Sequence, residues 1–325
     1  MDTVRWGIIG CGDVCEVKSG PAFYKCEHSA LQAVMRRDVG KAADFARRHG
    51  VPRFYSDACQ LIADPEVDVV YVATPPASHA EWAIKALQAG KPVYVEKPMG
   101  RTYGECRQML QTAGEKGLKL WVAYYRRSLP YFLKVKELLD ARAIGRVQAV
   151  RTAFFRPPLA CDLAEDLHTW RVNRAIAGGG YFHDLAPHTI DLLMFLLGDI
   201  VEAKGIASNV GRLYEVEDTV SASFLFRSGV TGSAIMCYAS SAAVREDRTE
   251  IIGTEGSIRF STFDFAPVEW ITPGKTETFH CPRPLHIQQQ MIQSIVDEMR
   301  GAGHCPSTGE TASRVNRVME QILDE

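Results

Sequence analysis

Three side chains that could move protons or stabilise charge stand in two short segments of the sequence. The apolar run VYV (93–95) ends in a glutamate, Lys97 and a proline, and Asp184 and His188 lie four residues apart in GGGYFHDLAPHTIDLLMFLLGD (178–199). A helix over 184–197 would place Asp184 and His188 on one face. A positioned imidazole typically contributes about 10²–10⁴-fold through general acid–base catalysis near neutral pH. Taken singly, Lys97 could be a solvated charge, Asp184 a helix N-cap and His188 a buried histidine.

A glycine turn follows the first apolar run of the chain. The segment IIGCGDVCE fits GxGxx(small), a pattern whose glycines permit a tight turn and let backbone N–H groups approach a pyrophosphate. The residues that would contact such a cofactor are Gly10, Gly12, Asp13 and Val14. Cys15 stands at the third glycine position, and Gly20-Pro21 soon interrupts the helical pattern, so we expect a short or kinked first helix. A plain glycine turn is the alternative.

The end of the second apolar run bears on the choice between NAD and NADP. An acid there binds the ribose 2′-hydroxyl, whereas an arginine suits a 2′-phosphate. This run ends in Arg36-Arg37-Asp38. Charge-assisted contacts to phosphate are worth about 1.5–3 kcal/mol each, so we expect NADP, held by Arg36 and Arg37. A solvated basic pair, with Asp38 on the ribose of NAD, is the alternative.

Alternating strand-like and helix-like segments must position these residues. Up to about residue 122 the alternation is typical of βαβ units around a parallel sheet. The strand-like runs are VRWGIIG (4–10), ALQAVMR (30–36), DVVYVAT (68–74), VYVE (93–96) and LKLWVAYY (118–125). From residue 123 to 325, helical stretches precede long alternating segments with Gly and Ser turns, as in an antiparallel sheet, and two helices close the chain. The sequence predicts an α/β domain over 1–122 and an α+β domain over 123–325, whose last helices could pack on the first domain.

Composition excludes several classes of protein. The 325 residues carry a formal net charge of -2, which offers no basic field for nucleic acid. The most apolar segment, IDLLMFLLGDI (190–200), is too short and too interrupted by aspartates to span a bilayer. The start of the chain lacks the pattern of a signal peptide, and the nine cysteines form no CxxC pair, so we expect a cytoplasmic protein with reduced thiols. His183 and His188 do not share a helix face, so we expect no metal site.

Three motifs together resemble the Gfo/Idh/MocA oxidoreductases, the family of glucose-fructose oxidoreductase and inositol dehydrogenase. They are GCGDV in the first turn, ATPPASHAEWAIKALQAGKPVYVEKPMG (73–100), and the GGG segment with its Asp and His. The resemblance implies a Rossmann domain, an active site in the cleft between the domains, and a C-terminal domain with a broad, open, mainly antiparallel sheet. That sheet often serves in oligomers of the family, so a homodimer or homotetramer is expected.

The resemblance also implies roles for individual residues. Thr74, Pro75 and His79 would line the cofactor, with Glu96 and Lys97 at its nicotinamide ribose. The Lys97–Pro98 bond is commonly cis in the family. His188 would accept and donate the proton, Asp184 would bind a substrate hydroxyl or orient His188, and Lys97 would stabilise alkoxide charge. Residues that could contact the substrate are Tyr125, Arg126 and Trp170, although Arg126 could instead be a surface arginine and Trp170 a packing residue.

We therefore expect an NADP-preferring dehydrogenase or reductase that acts on a carbinol or carbonyl carbon of a sugar, a polyol or a related small hydroxy compound. A glycoside hydrolase that uses transient oxidation by NAD on the same fold is one alternative. A non-catalytic regulatory protein that senses nucleotides is another. The substrate, the direction of reaction and the subunit number are left open.

Overall fold

The computed structural model describes residues 2–324 and divides into two compact units. Unit 1 contains the residues up to Ser128 together with Pro284–Asn316. Unit 2 contains Leu129–Arg283 and the residues from Arg317 onward.

Unit 1 is built on a six-stranded sheet in which all paired strands are parallel. Its strands are β1 (Val4–Ile9), β2 (Ser29–Met35), β3 (Arg53–Tyr55), β4 (Val69–Val72), β5 (Val93–Val95) and β6 (Leu120–Val122). The order β3-β2-β1-β4-β5-β6 is that of a Rossmann sheet, which confirms the predicted fold class. The four residues of β4 are all buried, as expected of a strand covered on both faces. The edge strand β3 was not predicted, because three residues are too few to show a pattern.

Helices connect these strands. They are α1 (Asp13–Val17), α2 (Gly20–Lys25), α3 (Val39–His49), α4 (Ala58–Ala63), α5 (His79–Gln88) and α6 (Tyr103–Lys116). The predicted short first helix is confirmed: α1 has five residues, and a second helix restarts at Gly20 with Pro21 in its first turn. Proline is tolerated there because the first turn of a helix needs no N–H from it.

Unit 2 begins with α7 (Pro130–Asp140) and contains an eight-stranded sheet. The strands are β7 (Val147–Phe155), β8 (Ile200–Ser208), β9 (Thr219–Phe226), β10 (Thr231–Cys237), β11 (Glu246–Gly253), β12 (Ser257–Phe260), β13 (Val268–Thr272) and β14 (Lys275–Phe279). Their order is β14-β13-β12-β11-β7-β10-β9-β8, antiparallel except for the parallel pair β7 and β10. This confirms the predicted open, mainly antiparallel sheet, although β7, β13 and β14 were not recognised in the sequence.

Two further helices of unit 2 precede β8 in the chain, α8 (Arg174–Ala177) and α9 (Tyr181–Leu197). The predicted helix over 184–197 therefore begins three residues earlier, at Tyr181. Most side chains of α9 are buried, and the helix contacts both α7 and β9. The GGG segment allows this start: a Cβ on Gly180 would lie 2.4 Å from the backbone oxygen of Glu217.

The chain ends in α10 (Gln289–Met299) and α11 (Gly309–Leu323). The predicted domain boundary at 122/123 differs from the structural division, which lies at Ser128 and returns Pro284–Asn316 to unit 1. The reason is that the turn after β6 bonds to this returning segment: Arg127 donates to the carbonyl of Pro306 at 2.9 Å. Within residues 2–324, no helix combines the length and apolar character that crossing a membrane requires.

Candidate active site

The turn after β1 has the bare backbone that a dinucleotide needs. Gly10 has φ 89°, and a Cβ there would lie 2.9 Å from Cγ2 of Thr74. A Cβ on Gly12 would meet only the carbonyl oxygen of Gly10, at 3.9 Å, so space is open beside it. Asp13 is exposed and Val14 half-buried in the first turn of α1. Close approach at Gly10 and open space at Gly12 fit the pyrophosphate of NAD or NADP.

The basic residues after β2 lie beside this turn or in solvent. Arg36 is half-buried, and its Nη1 contacts the carbonyl oxygen of Cys11 at 3.5 Å. Arg37 is exposed. Asp38 caps α3, because its carboxylate accepts the backbone N–H of Lys41 at 3.0 Å. One oxygen of the Asp38 carboxylate, Oδ1, is thus used in a helix cap.

His79 links the ends of two neighbouring strands. Its ring is buried, with Nδ1 2.9 Å from the carbonyl oxygen of Pro98 and Nε2 2.7 Å from that of Thr74. Burial lowers the pKa of His79, although the two carbonyls act in the opposite direction. Thr74 is half-buried and Pro75 exposed. The contact of all three residues with a cofactor stays a prediction, and His79 itself joins the Thr74 turn to the turn that carries Lys97.

Glu96 is fixed in a buried hydrogen-bond network behind Lys97. Its Oε1 accepts from the hydroxyl of Tyr71 and from Nε2 of Gln288, both at 2.6 Å, and its Oε2 accepts from the backbone N–H of Lys97 at 3.2 Å. Gln288 also accepts from the hydroxyl of Tyr94 at 2.9 Å. The Lys97–Pro98 bond is cis, as the resemblance implied. Sequence reasoning missed Gln288, because it lies 192 residues from Glu96.

The predicted substrate residues of unit 1 occupy a short 3₁₀ turn, Tyr125–Ser128. Arg126 is buried, with only 4% of its surface exposed, and its guanidinium carbon lies 5.1 Å from the ring centroid of Tyr125. The alternative of a surface arginine was therefore wrong. Burying a charged guanidinium costs free energy because the group loses its hydration. The burial of Arg126 therefore has to be offset by the surrounding fold.

In unit 2, α9 carries Asp184 and His188 one turn apart. Asp184 is an interior residue of the helix, so its interpretation as an N-cap was wrong; the cap is Gly180. The carboxylate accepts from Nε of Arg171 at 3.0 Å. His188 is buried, with its ring edge-on to Phe263 at a centroid distance of 6.2 Å.

Trp170 lies in the 3₁₀ turn that precedes α8. It is half-buried, and the guanidinium of Arg171 lies over its ring at 4.5 Å. Trp170 therefore packs on Arg171, and Arg171 in turn pairs with Asp184. No pattern in the sequence indicated the ion pair between Arg171 and Asp184.

A buried carboxylate holds the beginning of α9. Oε1 of Glu217 accepts from the backbone N–H of Gly180 at 2.7 Å and lies 3.3 Å from Nδ1 of His183. Burial opposes the charged form, but the His183 and Gly180 contacts outweigh it and lower the pKa of Glu217. His183 is thus a partner of Glu217. Among the described residues no group of three His, Cys, Asp or Glu side chains could hold a metal ion.

Comparison with known proteins adds to this geometry. Residues 4–124 match a family model described as "Oxidoreductase family, NAD-binding Rossmann fold", and residues 132–259 match the "GFO/IDH/MocA C-terminal domain". The chain belongs to the Gfo/Idh/MocA family of oxidoreductases. The resemblance stated from the sequence motifs is confirmed.

Relatives in the Gfo/Idh/MocA family cover nearly the whole chain. "Oxidoreductase P35" of Formosa agariphila is 39% identical over 317 residues, which are 98% of this chain and 97% of that protein. The 1,5-anhydro-D-fructose reductase of Ensifer adhaerens is 30% identical over 313 residues, 94% and 91% of the two chains. The structure of the aldose-aldose oxidoreductase of Caulobacter crescentus with glycerol has a TM-score of 0.87 at 26% identity, over 99% of this chain and 97% of that one. The chain is an NAD(P)-dependent oxidoreductase, as predicted.

Proposed function

We propose that this protein is an NADP-preferring dehydrogenase or reductase that interconverts a carbinol and a carbonyl on a sugar, polyol or related small hydroxy compound. The observation that carries the proposal is the pair on α9: a carboxylate oriented by Arg171 at 3.0 Å, one turn before a buried imidazole. Relatives named as a 1,5-anhydro-D-fructose reductase and an aldose-aldose oxidoreductase support the substrate class.

The proposed roles follow from what each side chain can donate or accept. When bound, the nicotinamide ring exchanges a hydride with the reacting carbon of the substrate. His188 takes the proton of the hydroxyl during oxidation and returns it during reduction. The ammonium of Lys97 can stabilise the negative charge of an alkoxide. Asp184, held by Arg171, accepts a hydrogen bond from a substrate hydroxyl or orients His188.

The preference for NADP is supported by the residues after β2. Arg36 lies against the glycine turn through its contact with Cys11, whereas Asp38 is engaged in capping α3. A guanidinium there, with the exposed Arg37 beside it, suits a 2′-phosphate better than a ribose hydroxyl. NAD remains the other cofactor to be compared in the experiment.

We assign the remaining predicted substrate contacts to the polar and aromatic groups of Tyr125, Arg126 and Trp170. Buried Arg126 would donate to a hydroxyl or carboxylate oxygen. Trp170, backed by Arg171, would form an apolar wall. The cytoplasmic location likewise stays a prediction.

We also propose a homo-oligomer in which a second copy covers the outer face of the eight-stranded sheet. That face exposes Ile206, at 77%, and Ile235, at 40%, among serines. It also carries a ladder of alternating charge in which Arg151 and Arg259 both contact Glu250. Small side chains and paired charges suit close approach of a second sheet.

Turnover of a sugar and polyol panel, followed by absorbance of the reduced nicotinamide, tests the catalytic roles. His188→Asn and Lys97→Ala should each lower kcat by about 10²–10⁴-fold with little effect on thermal unfolding, because a positioned acid–base or oxyanion group contributes that much. His304→Asn and Lys116→Ala, at exposed positions of unit 1, are the matched controls. Absence of turnover with every panel member and either cofactor, or full activity of Lys97→Ala and His188→Asn, would contradict the proposal.

A further inference from the structure

A second cluster of polar side chains lies in unit 2, beyond the pair of Asp184 and His188. The guanidinium of Arg156, at the end of β7, lies over the ring of Tyr181 at 4.1 Å, and its Nη1 is 3.9 Å from the carboxylate of Asp162. The hydroxyl of Tyr181 donates to Asp162 at 2.5 Å. The ring of Tyr214 is 5.8 Å from that of Tyr181 and 6.3 Å from that of His168, centroid to centroid. Four separate segments therefore meet here.

Local hydrogen bonds fix the segments that carry these side chains. In the loop between β8 and β9, the amide of Asn209 donates to the carbonyl of Tyr214 at 2.6 Å, and the carboxylate of Asp218 accepts from the N–H groups of two residues that follow Asn209. Asp162 also accepts the backbone N–H of Leu159 at 2.7 Å. These bonds fix the backbone beside Tyr214 and the carboxylate of Asp162.

Three polar atoms of the cluster find no hydrogen-bond partner among the described residues. They are Nη2 of Arg156, Nε2 of His168 and the hydroxyl of Tyr214, and each atom is buried. Tyr214 as a whole is only 7% exposed. Buried polar groups without partners are rare in native proteins, because they lose their hydrogen bonds to water and gain nothing in exchange. Grouped in one cluster, they indicate a place where a polar ligand supplies the missing bonds.

We propose that Arg156, His168 and Tyr214 form a subsite that binds hydroxyl groups of the substrate remote from the reacting carbinol, an inference that rests on the proposed function. The guanidinium only donates, whereas the phenol and the imidazole nitrogen can donate or accept, which matches hydroxyl groups that do both. The charge of Arg156 is balanced by Asp162, so the subsite favours neutral hydroxyls over a carboxylate or phosphate.

The distance along α9 between Tyr181 and His188 bears on the length of the substrate. Tyr181, which backs the subsite, precedes Asp184 by three residues and His188 by seven on the same helix. At a rise of 1.5 Å per residue, the second separation is about 10 Å along the axis. A three-carbon polyol is too short to engage both places. The subsite therefore favours a substrate longer than a three-carbon polyol.

Binding of carbohydrate probes to the full chain tests the subsite. Glycerol serves as the short probe, and D-glucose, D-glucitol and cellobiose serve as long probes, each titrated calorimetrically with the cofactor present. At least one long probe should bind about tenfold or more tighter than glycerol. Tyr214→Phe, which keeps the ring, should cut that ratio about three- to tenfold, and Arg156→Gln about tenfold or more, as expected for neutral and charged hydrogen bonds. Tyr24→Phe, at an exposed tyrosine of unit 1, should leave the ratio unchanged.

Long probes that bind no tighter than glycerol, or a ratio unchanged in Tyr214→Phe, would overturn the subsite and leave only structural water there. If Arg156→Gln fails to fold, Tyr214→Phe decides alone. The result is separable from the proposed function. If binding of the long probes depends on Tyr214 but no nicotinamide turnover occurs, the proposed reaction is contradicted and the subsite is supported. If turnover occurs but all probes bind equally, the subsite is contradicted and the proposed reaction is supported.

Discussion

At the residue scale, His79 shows how a buried imidazole can be structural in a catalytic fold. Both of its ring nitrogens face backbone carbonyl oxygens, at 2.9 and 2.7 Å. A neutral ring donates only one hydrogen bond, so one of these contacts lacks a proton unless the ring is charged. Burial disfavours the charge and lowers the pKa of His79 below its ordinary value of 6.5. The ring is therefore held neutral, at the cost of one good hydrogen bond.

The lowered pKa of His79 predicts a loss of stability on mild acidification. Between the folded pKa and 6.5 the unfolded chain binds more protons than the folded chain, so the free energy of unfolding falls as the pH drops through that window. The unfolding temperature of the wild type should fall more between pH 7.5 and pH 5.5 than that of His79→Gln, because glutamine does not titrate. An equal pH effect in the two proteins would contradict the assignment to His79.

Arg36 carries the predicted choice of cofactor at the same scale. Arg36→Ala should weaken NADP binding about 10- to 100-fold, because a charge-assisted contact to the 2′-phosphate is lost, and should change NAD binding less than about threefold. Fluorescence titration of each cofactor measures this, with Arg47→Ala on the exposed face of α3 as the control. An equal loss for both cofactors would show that Arg36 serves the shared part of the dinucleotide.

At the scale of elements, the start of α9 depends on a residue from a distant loop. Glu217 satisfies the Gly180 N–H and contacts His183, and Gly179 leaves room for that ring, since a Cβ there would lie 2.1 Å from Nδ1 of His183. The clamp formed by Glu217, Gly180 and His183 sets where α9 begins. It thereby sets which face presents Asp184 and His188.

Removing the clamp should destabilise the protein. Glu217→Ala leaves a buried N–H without a partner and should lower the free energy of unfolding by about 1–3 kcal/mol, whereas Glu217→Gln keeps an acceptor and should cost less. Urea unfolding measures both. Glu246→Ala, which breaks a half-exposed ion pair with Arg248, is the control and should cost under about 1 kcal/mol. Equal costs for Glu217→Ala and the control would rule out the clamp.

At the scale of the whole molecule, one face of the eight-stranded sheet carries exposed side chains on β8, β9 and β10. On β9, Val220, Ala222 and Phe224 are buried whereas Ser221 and Ser223 are exposed, so the pattern of one buried and one exposed face is built into the strand. Isoleucines on an otherwise small and polar surface indicate a face that is covered in an assembly.

A charge at the centre of that face should dissociate the assembly. Ile235→Lys places an ammonium where a second copy would pack, and burying it would cost more than the contact gains. Sedimentation velocity should show a multiple of the 36.1 kDa chain for the wild type and the single chain for Ile235→Lys. Leu133→Lys, at an exposed position of α7, is the control. A wild type that sediments as one chain would refute the proposed interface.

The sequence by itself determined the features that depend on neighbours along the chain. The buried strands of unit 1, the glycine turn at Gly10 and Gly12, the helix that carries Asp184 and His188, and the motif that places Lys97 were all predictable, because periodicity, glycine and proline act locally. The family followed from the spacing of these motifs. The short strands β3, β13 and β14 were not predictable, since a few residues show no reliable period.

The tertiary structure alone decided which distant groups meet. Gln288 behind Glu96, Arg171 on Asp184, Glu217 at the start of α9, and the burial of Arg126 have no local signature, because each partner is chosen by packing and by the need to satisfy buried polar groups. The same holds for Arg156, His168 and Tyr214, which three separate segments bring into one cluster. Periodicity along a chain specifies elements, whereas the chemistry of a site arises where the elements meet.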